Sequence, residues 1–179
     1  MNRLGNPGED PVYGPAVGTG PDELTVRAVG EGDVETLFEL ILELASYERL
    51  REEVNGDAEE LARSLFEART AEALLAEVGE VAVGYAIVCG TFSSFECRAG
   101  LWIEDLFVRP QSRKQGIGRA LLARVAAMAL ERGCPRVEWA VLDWNELALG
   151  FYDELGARRM DEWRMLRLEG EALSRLGFP

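Results

Sequence analysis

The residues best suited to bind a ligand are the glycines and cations of one short segment. Arg113-Lys-Gln-Gly-Ile-Gly118 stands between a predicted strand and the clearest predicted helix of the chain. Glycine lets backbone N–H groups approach a ligand without a Cβ in the way. The first turn of the following helix adds unpaired N–H groups and the positive end of the helix dipole. Together these features predict an anion site that suits a pyrophosphate.

Two better-known phosphate motifs do not fit this segment. A P-loop ends in Gly-Lys-Ser/Thr, whereas Gly118 is followed by Arg119. A dinucleotide-binding fingerprint requires a third small residue where this chain has Leu121. A glycine-rich turn without a ligand stays open as the alternative. Against it, Arg113, Lys114 and Arg119 concentrate positive charge in a chain whose net charge is −13.

Acid–base chemistry must use carboxylates, tyrosine, lysine or water, because the sequence contains no histidine. The same absence excludes Ser-His-Asp and Cys-His arrangements and most zinc sites, and we predict no metal. Glu104 and Asp105 are adjacent in a predicted strand. Neighbours on a strand point to opposite faces, so we expect only one of them to face a given cleft.

A mixed sheet flanked by helices, in an α/β fold, is predicted to position these residues. Gly133 and Gly156 stand where helix C-caps belong, and Pro110 ends a strand. A loop is expected over Phe92 to Gly100. The predicted strands cover residues 24–29, 73–78, 81–91, 101–108, 136–142 and 163–168, and the predicted helices cover about 33–45, 57–69, 118–132 and 145–155.

Residues 1–23 are predicted to be a flexible tail, since they hold five glycines and four prolines and lack periodic apolar residues. Residues 24–179 are predicted to form one domain. Three separated cysteines, no apolar run long enough to span a membrane and no secretory signal predict a cytoplasmic protein. The acidic balance argues against nucleic acid and suits a cationic partner, although it also serves solubility.

Several segments are similar to those of a known family. Arg-x-x-Gly-x-Gly after a strand ending in Leu-Phe-Val-Arg-Pro resembles the acetyl-CoA loop of the GCN5-related N-acetyltransferase (GNAT) superfamily. The resemblance covers about residues 24–176 and favours the diamine and thialysine N-epsilon-acetyltransferase branch. Ser112 and Lys114 depart from that branch, which commonly has an aromatic residue and a glycine there. The segments that carry the match are Ile103 to Val108, Arg113 to Gly118, Ala140 to Asn145, Phe151-Tyr152, Ala45 to Glu48 and Gly170 to Leu173.

The resemblance implies transfer of acetyl from acetyl-CoA to a small cationic amine, by direct attack. Tyr152 is implied as the general acid for the thiolate, and Glu104 as the carboxylate that takes the proton of the amine through water. A homodimer using the last strand is also implied. Implied cofactor contacts are Leu106, Phe107, Val108, Arg113, Lys114, Gln115, Gly116, Ile117, Gly118, Arg119 and Asn145; implied acceptor contacts are Tyr47, Glu48, Ser93, Ser94, Glu104, Glu138 and Trp139.

Each implied role has an alternative. Tyr152 and Trp139 suit packing, Ser93 and Ser94 suit a turn, and Asn145 suits a helix N-cap. At the level of function, a non-catalytic acetyl-CoA sensor and a protein amino-group acetyltransferase stay open. Thialysine-like amino acids are the first acceptor candidates and polyamines the second.

Overall fold

The computed structural model describes residues 23–177, so the predicted tail lies outside the described residues except for its last residue, Glu23. The chain forms two compact units that divide between Ala140 and Val141. None of the helices within residues 23–177 combines the length and the apolar character needed to cross a membrane.

The first unit is built on a mixed sheet, as predicted, and this sheet has five strands. The strands follow one another in chain order across the sheet. The first four pair antiparallel, and the fifth pairs parallel to the fourth. The strands are β1 (Leu24–Ala28), β2 (Glu72–Val78), β3 (Val81–Ser93), β4 (Arg98–Val108) and β5 (Val137–Trp139).

Helices cover both faces of this sheet. Helix α1 (Val34–Tyr47) and helix α2 (Ala58–Ala62), which continues as a π-helical turn over Arg63–Glu67, pack on one face. Helix α3 (Ile117–Glu131) packs on the other. The core on the α1 side includes Leu37, Leu40, Leu65, Leu75, Tyr85 and Phe107, and the core on the α3 side includes Leu74, Val88, Ile103, Ile117, Leu121 and Val125.

Two predicted boundaries inside the first unit are wrong. The expected loop from Phe92 to Gly100 is a tight hairpin, because β3 continues to Ser93 and β4 already begins at Arg98. The Ser93 hydroxyl accepts a hydrogen bond from the Glu96 amide at 3.2 Å and so closes this turn. The strand expected over 136–142 is confirmed only for Val137–Trp139.

The second unit contains helix α4 (Glu146–Glu154) and helix α5 (Gly170–Gly177). Gly156, with φ 80°, directly follows Leu155, the C-cap of α4, and so closes the helix as the sequence predicts. The strand expected over 163–168 is not formed by the described residues. A strand exists only through hydrogen bonds to a neighbouring strand, and the sheet described for residues 23–177 ends at β5.

Candidate active site

The predicted anion site forms a tight loop at the start of α3. Gly116 is the N-cap of α3 and has φ 81°, which favours glycine. Ile117 is buried in the core and fixes the loop to the sheet. The hydrogen bond from the Ala120 amide to the Gly116 carbonyl, at 3.0 Å, belongs to the first helical turn. The amides of Ile117, Gly118 and Arg119 precede it and are the donors that a helix start offers to an anion.

Lys114 occupies this loop in a left-handed backbone conformation. Its φ is 62°, in a region that costs a non-glycine residue about 1–2 kcal/mol. This is the position at which the sequence departs from the glycine of the branch it resembles. The loop therefore accommodates a lysine at this position, and the lysine adds a positive charge to the loop.

Beyond this loop, β4 has an edge that β5 does not cover. Strand β5 pairs with Leu101 to Ile103 and ends there. The Arg109 amide donates to the Val83 carbonyl on β3 at 2.9 Å. Because the direction of backbone groups alternates along a strand, those of Phe107 also point toward β3. The backbone groups of Leu106 and Val108 point to the uncovered edge.

Strand β4 is interrupted by a β-bulge at the two candidate carboxylates. Val88 on β3 pairs with Ile103, and the preceding residue Ile87 pairs with Asp105. Glu104 is therefore the extra residue, without a partner on β3. A bulge changes which face the following side chains occupy, so it decides where both carboxylates point.

Both carboxylates lie on the face that α1 covers. Ile103, before the bulge, packs with α3, whereas Phe107, after it, packs with α1. Glu104 is adjacent to Ile103 and so points away from α3. Asp105 accepts a hydrogen bond at 3.1 Å from the hydroxyl of Tyr85, a core residue on the α1 face. The prediction of opposite faces is wrong, because it assumed an unbroken alternation.

A third carboxylate, Glu48, joins this pair from the end of α1. Burial raises the pKa of Glu48, and the charge of Asp105 raises it further. Burial likewise raises the pKa of Asp105 to about 6, with a further contribution from Glu104 and an opposing one from the Tyr85 hydroxyl. Among residues 23–177, no arginine or lysine forms an ion pair with any of the three carboxylates.

Two side chains on the same face contact or adjoin Glu104. The Trp102 indole N–H donates to Glu104 Oε2 at 3.0 Å. Cys89 lies opposite Trp102 on β3. Burial raises the pKa of the Cys89 thiol, and the charge of Glu104 adds to the increase. The face is therefore strongly acidic and holds a thiol that stays protonated.

Tyr152, the residue predicted as general acid, lies in the second unit on α4. Its ring is 5.2 Å from the ring of Phe151 in a tilted arrangement. Helix α4 starts at Asn145, whose side-chain oxygen accepts a hydrogen bond from the Ala148 amide at 3.2 Å. The N-cap role that the sequence predicts for Asn145 is therefore confirmed.

The comparisons with known proteins agree with this geometry. Residues 35–157 match the acetyltransferase (GNAT) family. The chain belongs to this family. It is similar to thialysine N-epsilon-acetyltransferase of Bos taurus, with 37% identity over 84% of this chain and 95% of that protein. It is also 43% identical to L-ornithine N5-acetyltransferase of Arabidopsis thaliana, over 52% of this chain and 41% of that protein.

The fold is likewise that of GNAT proteins of known structure. An aminoglycoside acetyltransferase from an uncultured soil metagenomic sample superposes with a TM-score of 0.70 and 20% sequence identity, covering 82% of this chain and 97% of that chain. The chain is thus an acyl-CoA-dependent N-acetyltransferase, and its relatives act on amines. GNAT acetyltransferases take their acetyl group from acetyl-CoA.

Not every predicted acceptor residue of this GNAT chain lies in the cluster formed by Glu48, Glu104 and Asp105. Glu138, on β5, has its Oε2 2.8 Å from the Nε of Arg136, the residue that precedes this strand. Trp139 packs against the core on the α3 side. Ser93 is buried in the hairpin turn, and the Ser94 carbonyl accepts a contact from the Cys97 thiol at 3.4 Å. Tyr47 and Glu48 do lie on the α1 side, at the end of that helix.

Two residues of this GNAT site escaped the sequence analysis. Tyr85 holds Asp105, and its position in an apolar strand gave no sign of a polar partner. Gly84 allows β3 and β4 to approach closely, since an added Cβ would lie 2.5 Å from the Phe107 carbonyl oxygen. A glycine inside a predicted strand is a general signal of close backbone approach, and it could have identified Gly84. Among residues 23–177, no group of three or more potential ligands has a geometry that could hold a metal ion.

Proposed function

We propose that the chain transfers the acetyl group of acetyl-CoA to the primary amine of a small cationic acceptor, a thialysine-like amino acid or a polyamine. The observation that carries this proposal is the cluster of Glu48, Glu104 and Asp105. Elsewhere in the first unit, partly buried carboxylates such as Glu43 and Glu77 pair with arginines. The cluster lacks such a partner within residues 23–177, which suits a cation that arrives with the substrate.

The same carboxylates can promote the most costly step of the reaction, which is deprotonation of the acceptor amine. An amine with a pKa near 10.4 is only roughly 0.04% free base at pH 7, and deprotonating it costs about 4.6 kcal/mol. Glu104 is the carboxylate we assign to take this proton, directly or through water. Glu48 and Asp105 strengthen the negative field and retain the ammonium group until it is deprotonated. A thialysine-type amine eases the step, because its side-chain sulfur lowers the basicity of the amine.

The residues of the loop and of the β4 edge fit acetyl-CoA as the donor substrate. The amides of Ile117, Gly118 and Arg119 suit its phosphates, and Lys114 adds a positive charge. The uncovered backbone groups of Leu106 and the Val108 amide suit the amides of the pantetheine arm, whereas the Val108 carbonyl already accepts a hydrogen bond from Arg113 Nε. Acetyl-CoA supplies a thioester carbonyl that the neutral amine attacks. The proposal includes Gln115, Phe107 and Asn145 as further contacts, on the basis of the family resemblance.

Tyr152 is the residue we assign as general acid. A phenol with a pKa near 10 can donate its proton to a thiolate as the thiolate leaves. The assignment rests on the Phe151-Tyr152 motif, which the chain shares with the branch it resembles. Phe151 packs its ring against that of Tyr152 and so restricts the orientation of the phenol.

The decisive experiment measures thiol release from acetyl-CoA with a panel of acceptors. The panel contains thialysine, ornithine, spermidine, putrescine, a lysine-containing peptide and a neutral hydroxyl compound. We expect acceptor-dependent release with the small cationic amines and none with the hydroxyl compound. Tight binding of acetyl-CoA without acceptor-dependent release would instead identify a sensor. Release with the peptide alone would identify a protein acetyltransferase.

We further propose that the chain forms a homodimer through its carboxy-terminal segment. Trp163, Met165 and Leu166 are exposed in the single chain, and no strand forms around them within the described residues. An exposed apolar segment of this kind is typical of an interface. Light scattering after size exclusion tests the assignment, and a monomer at micromolar concentration would reject it.

We also propose a cytoplasmic location and no nucleic-acid or membrane partner. Cys89, Cys97 and Cys134 are all free thiols, which suits a reducing compartment. A net charge of −13 opposes binding to a phosphate backbone or an anionic lipid surface. Fractionation of cells that produce the protein tests the location, and a secreted or membrane-bound pool would contradict it.

A further inference from the structure

The segment that follows β4 contacts helix α1 at two points, each through an arginine. Arg109 approaches Glu43 with two nitrogens, its Nη2 2.6 Å from Oε1 and its Nε 3.0 Å from Oε2. Four residues later, the guanidinium of Arg113 lies over the ring of Tyr47, 4.4 Å from the centroid. Glu43 and Tyr47 are themselves four residues apart, so they lie on the same side of α1. We call these two contacts the arginine clamp.

Both arginines are also fixed to the sheet. Arg109 Nη1 donates to the Ala82 carbonyl at 2.8 Å, and Arg113 Nε donates to the Val108 carbonyl at 3.0 Å. The 3₁₀ turn over Pro110–Ser112 sets the spacing between them. Each guanidinium therefore connects a strand to α1 by contacts on both sides. The clamp differs from an ordinary contact between two surface side chains, because each arginine is also hydrogen-bonded to a backbone carbonyl.

The clamp joins two parts of the site that have different tasks. Arg113 begins the loop that ends at Gly116 and the start of α3. Tyr47 ends α1 and is followed by Glu48, whose pKa is raised by burial and further by the charge of Asp105. A shift of α1 relative to the loop would therefore move Glu48 relative to the carboxylates of β4.

We propose that Arg109 and Arg113 are positioning residues, which hold the acceptor carboxylate Glu48 in register with the acetyl-CoA loop. The proposal rests on the proposed function, since it assigns Glu48 to the acceptor. The Arg113 side chain is occupied by Tyr47 and the Val108 carbonyl, so its main effect is on the acceptor. We assign phosphate binding to the backbone amides of the loop and not to this guanidinium.

The test separates acceptor KM from kcat and from the affinity for acetyl-CoA. In Arg109→Gln and Glu43→Gln we expect acceptor KM to rise about fivefold or more, as for loss of a charge-assisted hydrogen bond. The affinity for acetyl-CoA, measured by calorimetry, stays within about twofold. The double variant changes acceptor KM no more than either single variant, because both remove the same contact. Arg109→Lys, which retains the charge, restores part of the loss.

The second contact has its own matched variants. Tyr47→Phe keeps the ring under Arg113, whereas Tyr47→Leu removes it. We expect Tyr47→Leu and Arg113→Met each to raise acceptor KM by about fivefold, without additivity, as a cation–π contact requires. Tyr47→Phe separates the ring from the hydroxyl: an effect as large as that of leucine would show that the hydroxyl acts, and would overturn this half of the clamp.

A remote ion pair supplies the control. Arg132 contacts Glu72 with two nitrogens at 2.6 and 2.7 Å, as closely as Arg109 contacts Glu43, but at the other end of α3. We expect Arg132→Gln to leave acceptor KM unchanged. Unchanged acceptor KM in the clamp variants, or a rise confined to the dissociation constant of acetyl-CoA, would overturn the proposal. A wild-type protein that transfers no acetyl group to any amine would overturn the proposed function instead.

Discussion

The hydroxyl of Tyr85 donates a hydrogen bond to Oδ2 of Asp105, at a distance of 3.1 Å. Tyr85 is fully buried and Asp105 is largely so. Burial raises the pKa of Tyr85 well above its ordinary value, and the adjacent negative charge raises it further. The phenol therefore stays protonated and acts as a donor. It partly offsets the cost of a buried carboxylate that has no cationic partner within residues 23–177.

Asp105 is predicted to make the protein less stable as the pH rises from about 4 to 6. Its pKa is about 6 in the folded protein and near 3.9 in the unfolded chain. Between these values the folded state binds more protons than the unfolded state, so the free energy of unfolding falls as the pH increases. Asp105→Asn removes this dependence. At pH 7 the variant should be more stable than the wild type by roughly 3 kcal/mol.

Urea denaturation of both proteins at pH 4, 5, 6 and 7 checks this expectation. The two stability curves should converge near pH 4, where Asp105 is protonated in the folded state, and separate above it. Equal stability at pH 7, or an asparagine variant that is less stable there, would show that a cation or bound water already balances the Asp105 charge.

Gly84→Ala should destabilise the contact between β3 and β4. The new Cβ would lie 2.5 Å from the Phe107 carbonyl oxygen and 3.3 Å from the Val108 Cα, and both are backbone atoms. We expect the free energy of unfolding to fall by about 1–3 kcal/mol, as for other overpacked sites. We also expect weaker binding of acetyl-CoA, because β4 carries the open edge. Thermal unfolding and calorimetry measure the two effects.

Gly90→Ala is the matched control for that substitution. Gly90 lies on the same strand, and an added Cβ would meet no atom within 4 Å. The free energy of unfolding of the Gly90→Ala variant should differ from that of the wild type by less than about 0.5 kcal/mol. Equal losses at the two glycines would attribute the effect to strand propensity rather than to close approach.

Lys114→Gly should stabilise the protein. The lysine has φ 62°, a conformation that glycine adopts without a steric penalty. Glycine also has more conformational entropy than lysine in the unfolded chain, and this opposes the gain. We therefore expect a net increase of the free energy of unfolding of up to about 1 kcal/mol. Lys114→Ala removes the same charge but keeps a Cβ, so it should show no such gain in denaturant unfolding. A glycine variant no more stable than the alanine variant would show that the loop carries little strain.

Tyr152→Phe should lower kcat by about 10²–10⁴-fold, the usual contribution of a general acid. The substitution keeps the ring that packs against Phe151. Binding of acetyl-CoA should therefore stay close to that of the wild type, as measured by calorimetry. A rate that survives the substitution would assign protonation of the thiolate to water or to another residue.

The sequence determined much of this site because the signals are local. The glycines of Arg113 to Gly118 and the apolar periodicity of α3 need no distant partner, so the loop and the helix form where predicted. The absence of histidine leaves carboxylates among the few side chains able to act as a base near neutral pH. The N-cap role of Asn145 is equally local, since its acceptor atom serves an amide three residues away.

Only the tertiary structure decided where the carboxylates point and which strands exist. Glu104 and Asp105 share a face because β3 leaves Glu104 without a partner, and that bulge depends on pairing between distant residues. The strand expected over 163–168 is absent from the described residues for a related reason, since the apolar pattern was present but a neighbouring strand was not. The apolar pattern of a segment sets its preference for an extended conformation. Hydrogen-bonded neighbouring strands decide whether the segment becomes a strand and in which register.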